Sequence, residues 1–332
     1  MAESTFPVVS IAYREEDAAA LRDMRMAMEK QDLSEAALGV TERAIDANAA
    51  DYTAWAWRWR CLEALRSDLD QELEWLEPNM LSNPKNYQMW NHRRRVAGAL
   101  CAADGPAVLG PRVAAELAFV EEALRDDAKN YHAWAHRQHF VGAVLAGADG
   151  AAAAQEEAEF TDRLIERDAR NNSAWNHRMY VLRASMGAAT SEADATNVVR
   201  RELAYAWRRI HPVGHYNESA WAYARGLGTL PGATLVALSP VVGMAKRVLD
   251  DSPGCPPALA ALGEYCEAVC RAGLAEAAAG GGEGVFQASA ESGAAALRAY
   301  ASLQGSDGVH AAYWRTRADA LADHMGGGGA AR

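Results

Sequence analysis

The hydrophobic and polar positions of this chain repeat in blocks, each centred on a tryptophan. In the first four blocks an arginine follows the tryptophan at offset three, and apolar residues follow at offset seven and, in most copies, at offset ten. These offsets share one face of an α-helix, and we predict that this face packs against the helix partner within its own block. The blocks are DYTAWAWRWRCL, NYQMWNHRRRVA, NYHAWAHRQHFV, NNSAWNHRMYVL and NESAWAYARGLG, which contain Trp55, Trp90, Trp134, Trp175 and Trp221.

A glutamate precedes each of the last four tryptophans by 18 or 19 residues, within QELEWL, AELAFV, EEAEFT and RELAYA. The interval from a tryptophan to the next glutamate varies, so the constant part is a structural unit and the variable part is a surface connection. The unit is predicted to be helix, short turn, helix. We therefore predict an all-α fold, a right-handed α-α superhelix that forms a crescent-shaped solenoid of stacked helical hairpins. It is expected to be one domain over residues 1–332, with less regular helices at 235–325.

The tripeptide Lys-Asn-Tyr stands before the helix twice, in PKNYQMWNHRR and in AKNYHAWAHRQ. Asn, Asp or Ser residues at these positions are typical helix caps. The start of a helix already favours anions through its dipole and its unpaired backbone amides. Lys85 adds a positive charge there, and the sequence predicts a local anion site. We expect the tryptophans, and the recurring Arg and His residues that follow them, to be structural.

The overall charge opposes several function classes. The chain has 332 residues and a formal net charge of −11, from 44 acidic and 33 basic residues. This imbalance argues against broad attachment to nucleic acid or to an anionic membrane. No segment reaches the roughly 18 apolar residues of a membrane span, so we expect a cytoplasmic protein without membrane insertion. The five cysteines form no CxxC pair, and we expect Cys266 and Cys270 to lie in an apolar stripe rather than in a zinc site.

The repeated NYQMWNHRR, KNYHAWAHRQ, RNNSAWNHR and HYNESAW motifs resemble the tandem repeats of the protein prenyltransferase α subunits. The likeness is greatest to the α subunit shared by protein farnesyltransferase and protein geranylgeranyltransferase type I, and it runs from about Val8 to YWRTRADAL near the C-terminus. It implies a heterodimer with a zinc-bearing β subunit, and it allows magnesium as a further cofactor. The implied reaction transfers a farnesyl or geranylgeranyl group from its diphosphate to a cysteine thiol of a CaaX protein.

The same resemblance implies roles for residues in the turns. Lys85 would contact the diphosphate, Gln88 the terminal carboxylate of the CaaX protein, and Tyr52 the peptide side of the site. No residue of this chain is expected to bind the metal. The resemblance implies catalytic roles for Lys85, His132 and Tyr131 and substrate-binding roles for Gln88, Tyr87, Asn130 and Tyr52.

Two other functions stay open at this point. The chain could be the α subunit of the Rab-type geranylgeranyltransferase, although Gln88, available for a CaaX carboxylate, favours the CaaX type. It could also be a scaffold without enzymatic function, of the tetratricopeptide kind. The regular period of about 34 residues that defines such scaffolds is absent from this sequence.

Overall fold

The computed structural model of the chain describes residues 13–104, 106–147, 149–186, 191–211, 214–279 and 283–327. Every regular element within these ranges is a helix, as the hydrophobic pattern predicts. The chain divides into two compact units, Met1–Val141 and Gly142–Arg332. Whether the whole chain acts as one domain stays a prediction.

The first unit is a series of helical hairpins. Helices α2 and α3 pack together, as do α4 and α5, and a short turn joins the two members of each pair. The predicted helix-turn-helix unit is therefore confirmed. The helices are α1 (Glu15–Glu29), α2 (Glu35–Ala47), α3 (Tyr52–Leu65), α4 (Leu69–Ser82), α5 (Tyr87–Asp104), α6 (Pro106–Asp126) and α7 (Tyr131–Leu145), whose last residues belong to the second unit.

The second unit continues the pattern and adds longer helices near its end. Its helices are α8 (Gly150–Arg167), α9 (Asn172–Ser185), α10 (Glu192–Ile210), α11 (Glu218–Gly226), α12 (Leu235–Leu238), α13 (Pro240–Asp251), α14 (Pro256–Ala278), α15 (Glu283–Ser306) and α16 (Ala311–Gly327). Helices α14 to α16 enclose a core that includes Tyr300, Leu303 and Leu321. Cys266 and Cys270 lie in this apolar core, as expected from the sequence.

Each repeat tryptophan is buried, with at most 5% of its surface exposed, which confirms the predicted core role. The indole Nε1 donates a hydrogen bond to the backbone carbonyl six residues earlier, so the ring also closes the turn that precedes its helix. The acceptors are the carbonyls of Ala49, Pro84, Ala128, Ala169 and His215.

Helix starts are capped as the sequence predicts. The Asp51 side chain accepts the backbone N–H of Thr53, and Asn86 Oδ1 accepts those of Gln88 and Met89. Asn130 and Asn171 do the same at the starts of α7 and α9. Because Asn86 already bonds these amides at the start of α5, the anion site predicted there depends on Lys85 and the helix dipole.

The cap asparagines also join neighbouring repeats. Asn86 Nδ2 donates to Ala49 O at 2.9 Å, and Asn130 Nδ2 donates to Pro84 O at 2.8 Å. Each of these carbonyls is the one that the preceding tryptophan indole also contacts. In the second unit Asn217 bonds Ala169 O in the same way. Cys255, at the start of α14, takes the corresponding place, with its Sγ 3.2 Å from His215 O.

A buried glutamate of α4 links its hairpin to the one before it. Glu72 accepts hydrogen bonds from Arg58 at 2.6 and 2.7 Å and contacts His92 Nε2 at 2.8 Å. Arg58 belongs to the preceding hairpin and His92 to the same hairpin as Glu72. The arginine at offset three therefore contacts two hairpins. Arg58 bonds Glu72 of the following hairpin, and its Nη1 also donates to Thr41 Oγ1 of α2, its own hairpin partner, at 3.4 Å. The predicted contact with the own partner is thus present, and the bond to the following hairpin is one that the sequence did not predict.

The same arrangement recurs in two other repeats, where the third member is a histidine in one and a tyrosine in the other. Glu116 binds Arg93 and His136, while Glu202 binds Arg178 and the Tyr223 hydroxyl. Glu157 contacts His177 Nε2 at 2.6 Å. The predicted structural role of these Arg and His residues is confirmed, because buried charges require such partners.

Candidate functional site

The two Lys-Asn-Tyr turns, residues 84–88 and 127–132, lie side by side in the first unit and are called here the paired turns. A hydrogen bond and an ion pair join their polar groups. Asn130 Nδ2 donates to Pro84 O at 2.8 Å, and Lys85 Nζ lies 3.5 Å from Asp127 Oδ2. The Lys85 side chain is 79% exposed, so its ammonium is available to solvent or to a ligand. The predicted anion site therefore has an exposed cation at the meeting point of two helix starts.

Three aromatic side chains lie on the paired turns. The ring of His132 is 6.0 Å from that of Tyr87 and 5.5 Å from that of Tyr131, both nearly edge-on. Tyr87 and Tyr131 are 62% and 76% exposed, whereas His132 is half-buried between them. Large exposed aromatic side chains are typical of interaction surfaces, so this cluster is suited to contact an apolar ligand or a partner.

Gln88 and Tyr52 complete the predicted set. Gln88 follows Tyr87 in the first turn of α5 and is half-buried. Tyr52 begins α3 as Tyr87 begins α5 and Tyr131 begins α7, and it is 72% exposed. Within the described residues, no hydrogen bond, ion pair or ring contact joins Tyr52 to the paired turns. The structure thus brings Lys85, Tyr87, Tyr131 and His132 together and leaves Tyr52 one repeat away.

Asn130 has a different setting from the other predicted site residues. Only 2% of its surface is exposed, its Oδ1 caps α7, and its Nδ2 bonds Pro84 O. These bonds make Asn130 the residue that fixes the two turns against each other. Its contact with a diphosphate stays a prediction. The constant spacing of four residues from asparagine to tryptophan is the sequence signal for this structural role.

Neither a metal cluster nor a membrane span is found in the part of the chain that the structure describes. No group of three or more His, Cys, Asp or Glu side chains there could hold a metal ion. Among the described helices, none is long and apolar enough to cross a membrane.

Comparison with known protein families identifies the repeats. Residues 34–65, 69–100, 113–144 and 154–185 each match the family described as protein prenyltransferase alpha subunit repeat. These four segments of the chain are similar to protein prenyltransferase alpha subunit repeats. The resemblance predicted from the sequence is therefore confirmed, and the paired turns lie within the second and third matched repeats.

Curated relatives match this chain over stretches of 71 to 90 residues. They are alpha subunits of protein farnesyltransferase/geranylgeranyltransferase type-1, and the matched stretches cover less than a third of each relative's length. The Schizosaccharomyces pombe subunit is 37% identical over 90 residues, 27% of this chain and 31% of the relative. The Candida albicans subunit is 40% identical over 74 residues, 22% of this chain and 24% of the relative. The Arabidopsis thaliana subunit is 41% identical over 71 residues, 21% of this chain and 22% of the relative.

A solved structure shares the fold of the repeats. It is the Candida albicans protein geranylgeranyltransferase-I complexed with GGPP, with a TM-score of 0.74 and 24% identity over 96% of this chain and 95% of the other. This likeness confirms the predicted fold class, an all-α chain of helical repeats.

Proposed function

We propose that this chain is the α subunit of a heterodimeric CaaX protein prenyltransferase that acts in the cytoplasm. The observation that carries the proposal is the geometry of the paired turns, where the exposed Lys85 ammonium lies beside two helix starts and an exposed aromatic cluster. An isoprenoid diphosphate combines an anion with an apolar chain, so these two features match its two parts. The alpha-subunit names of the curated relatives support the same function.

The proposed reaction forms a thioether. The cysteine sulfur attacks C1 of the isoprenoid, the C1–O bond breaks, and its electron pair leaves with the diphosphate while the thiol proton passes to solvent. Negative charge therefore grows on the departing diphosphate. Fixed cations and dipoles at that point stabilise the transition state more than the ground state. Lys85 and the positive ends of α5 and α7 supply them.

The other residues of the site have distinct proposed roles. Tyr131 and His132 present a hydroxyl and an imidazole that can donate to diphosphate oxygens, and Tyr87 offers an aromatic wall. Gln88 is proposed to hydrogen-bond the terminal carboxylate of the CaaX protein, and Tyr52 to contact its peptide. Asn130 is proposed to act by holding the two turns in register near the diphosphate.

The proposed partner is a β subunit that binds zinc. When bound there, the zinc would lower the pKa of the substrate thiol and so favour the thiolate. Magnesium is a further proposed cofactor, which would neutralise charge on the diphosphate. The residues of this chain are proposed to bind and orient the diphosphate and the peptide.

A transfer assay tests the proposal. The chain is co-expressed with its β partner from the same source, and the complex is mixed with a CaaX peptide and radiolabelled farnesyl or geranylgeranyl diphosphate. Transfer to the peptide, and none to a matched peptide with serine in place of the cysteine, supports the proposed function. Transfer only to Rab proteins with an escort protein would favour the Rab-type α subunit. A chain that binds neither a β partner nor a diphosphate would be a scaffold.

A further inference from the structure

Lys85 has a single carboxylate within ion-pairing distance among the described residues. Its Nζ lies 3.5 Å from Asp127 Oδ2, across the seam between the paired turns. Such exposed pairs add little to stability, because solvent screens them and two side chains lose freedom. The main consequence of the Lys85–Asp127 ion pair is therefore that it sets the position of the Lys85 ammonium. A lysine has a long, flexible side chain, and this contact restrains it at the seam.

Asp127 is itself held in place by its own turn. Its Oδ1 accepts the backbone N–H of Lys129 at 3.1 Å, and its backbone carbonyl accepts the N–H of Asn130 at 3.0 Å. Asn130 in turn bonds Pro84 O, next to Lys85 in the chain. The position of Oδ2 is thus set by a closed turn that is anchored to the turn carrying Lys85.

We propose that Asp127 is a positioning residue that orients Lys85 for the diphosphate, an inference that rests on the proposed function. An ammonium has three N–H donors. The contact with Asp127 is an ion pair at 3.5 Å, which draws the ammonium toward Oδ2 and leaves N–H donors directed away from the carboxylate for phosphate oxygens. Asp127 therefore has two opposed effects. Its negative charge weakens binding of the diphosphate, and its hold on Lys85 favours the geometry in which charge on the departing diphosphate is stabilised.

Asp127→Asn separates this role from the folding of the turn, because an asparagine Oδ1 still accepts the Lys129 N–H while the ion pair is lost. Asp126→Asn is the matched control. It removes the same charge from the neighbouring exposed residue, which forms no ion pair with Lys85. Both substitutions are made in the assembled complex, in the wild-type chain and in the Lys85→Ala chain. The readouts are the single-turnover transfer rate and the dissociation constant of the prenyl diphosphate.

Asp127→Asn is expected to change the transfer rate and the affinity for the diphosphate in opposite directions. Asp127→Asn should slow transfer by roughly 5- to 20-fold, since small misplacements of a positioning group reduce rates by up to about 100-fold. It should also tighten diphosphate binding by roughly 3-fold, because a like charge is removed. In the Lys85→Ala chain, adding Asp127→Asn should change the transfer rate by no more than about 2-fold relative to Lys85→Ala alone. This is the result expected when two residues act through one contact. Asp126→Asn should leave the rate unchanged in both chains.

Two results would overturn the proposal while the proposed function stands. One is a wild-type transfer rate in Asp127→Asn, and the other is an equal loss of rate with and without Lys85, which would indicate a purely structural role. A wild-type complex with no transferase activity would overturn the proposed function and this inference together.

Discussion

Arg58 and His92, which belong to successive hairpins, meet on the same buried carboxylate. Arg58 Nε lies 2.7 Å and His92 Nε2 lies 2.8 Å from Glu72 Oε1. All three residues are at most 4% exposed. A single buried glutamate thus satisfies a cation from the hairpin before it and an imidazole from its own hairpin. The neighbouring repeat uses Arg93, Glu116 and His136 in the same way.

Glu72→Gln should destabilise the chain by about 3 to 5 kcal/mol, because it leaves the buried Arg58 guanidinium without its counter-charge. Urea unfolding followed by circular dichroism measures the change. Glu74→Gln is the control, since Glu74 is an exposed residue of the same helix. Equal unfolding midpoints for the two variants would show that the buried pair does not stabilise the stack.

Stability should fall as the pH is lowered from about 7.5 to 5. Burial lowers the pKa of His92 and His136 below the usual 6.5, although their glutamates oppose this shift. Near and below pH 6.5 the unfolded chain therefore binds more protons than the folded chain. The stability that the two neutral histidines contribute is present above that pH and is lost below it. Burial raises the pKa of Glu72 and Glu116, but bonds from His and Arg outweigh it, and the net shift is downward.

The glutamates therefore add a further loss of stability at more acidic pH, as it falls through their folded-state pKa values. Melting temperatures recorded from pH 7.5 to 2 measure both effects. His92→Gln should flatten the part of the curve between pH 7 and 5, because it removes one of the titrating imidazoles. A melting temperature independent of pH over this range would contradict the proposed charge states of the buried network.

Local features of this fold could be predicted from the sequence, and contacts between repeats could not. The caps and the buried tryptophans depend on residues a few positions apart, so their spacing predicts them. The partner of Arg58 depends on how hairpins stack, which brings Glu72 from the next hairpin to it. Asn130 shows the same limit within the site. Its spacing predicts a helix cap, but its bond to Pro84 O joins residues 46 positions apart.

Trp90→Ala should destabilise the chain by about 3 to 5 kcal/mol through the cavity it leaves. Trp90 is 2% exposed and its indole bonds Pro84 O, so the first paired turn should also loosen. Thermal melting followed by circular dichroism measures the loss. Trp75→Ala removes a half-buried indole from the same unit and should cost less. An unchanged melting temperature for Trp90→Ala would contradict its role in the core.

Lys85→Ala should slow transfer in the assembled enzyme by roughly 10- to 1000-fold, as the loss of one transition-state donor does. Because Lys85 is 79% exposed, the folded chain and its melting temperature should be unaffected. Single-turnover kinetics with saturating prenyl diphosphate isolates the chemical step. Lys246→Ala, at another exposed lysine, is the control and should leave the rate unchanged. A Lys85→Ala enzyme with the wild-type rate would remove Lys85 from the mechanism.

Gln88→Ala should weaken binding of a CaaX peptide by roughly 10- to 150-fold, the loss expected for one hydrogen bond to a charged group. The loss of affinity should depend on the peptide terminus, because the side chain of Gln88 is proposed to donate to the terminal carboxylate. The binding of the diphosphate should not change. Titration of the complex with a fluorescent CaaX peptide, and with the same peptide ending in an amide, tests this. The peptide ending in an amide should bind the wild-type complex more weakly than the peptide ending in an acid does. It should bind the wild-type and Gln88→Ala complexes with the same affinity. If Gln88→Ala weakened the binding of both peptides by the same factor, the contact would lie elsewhere on the peptide.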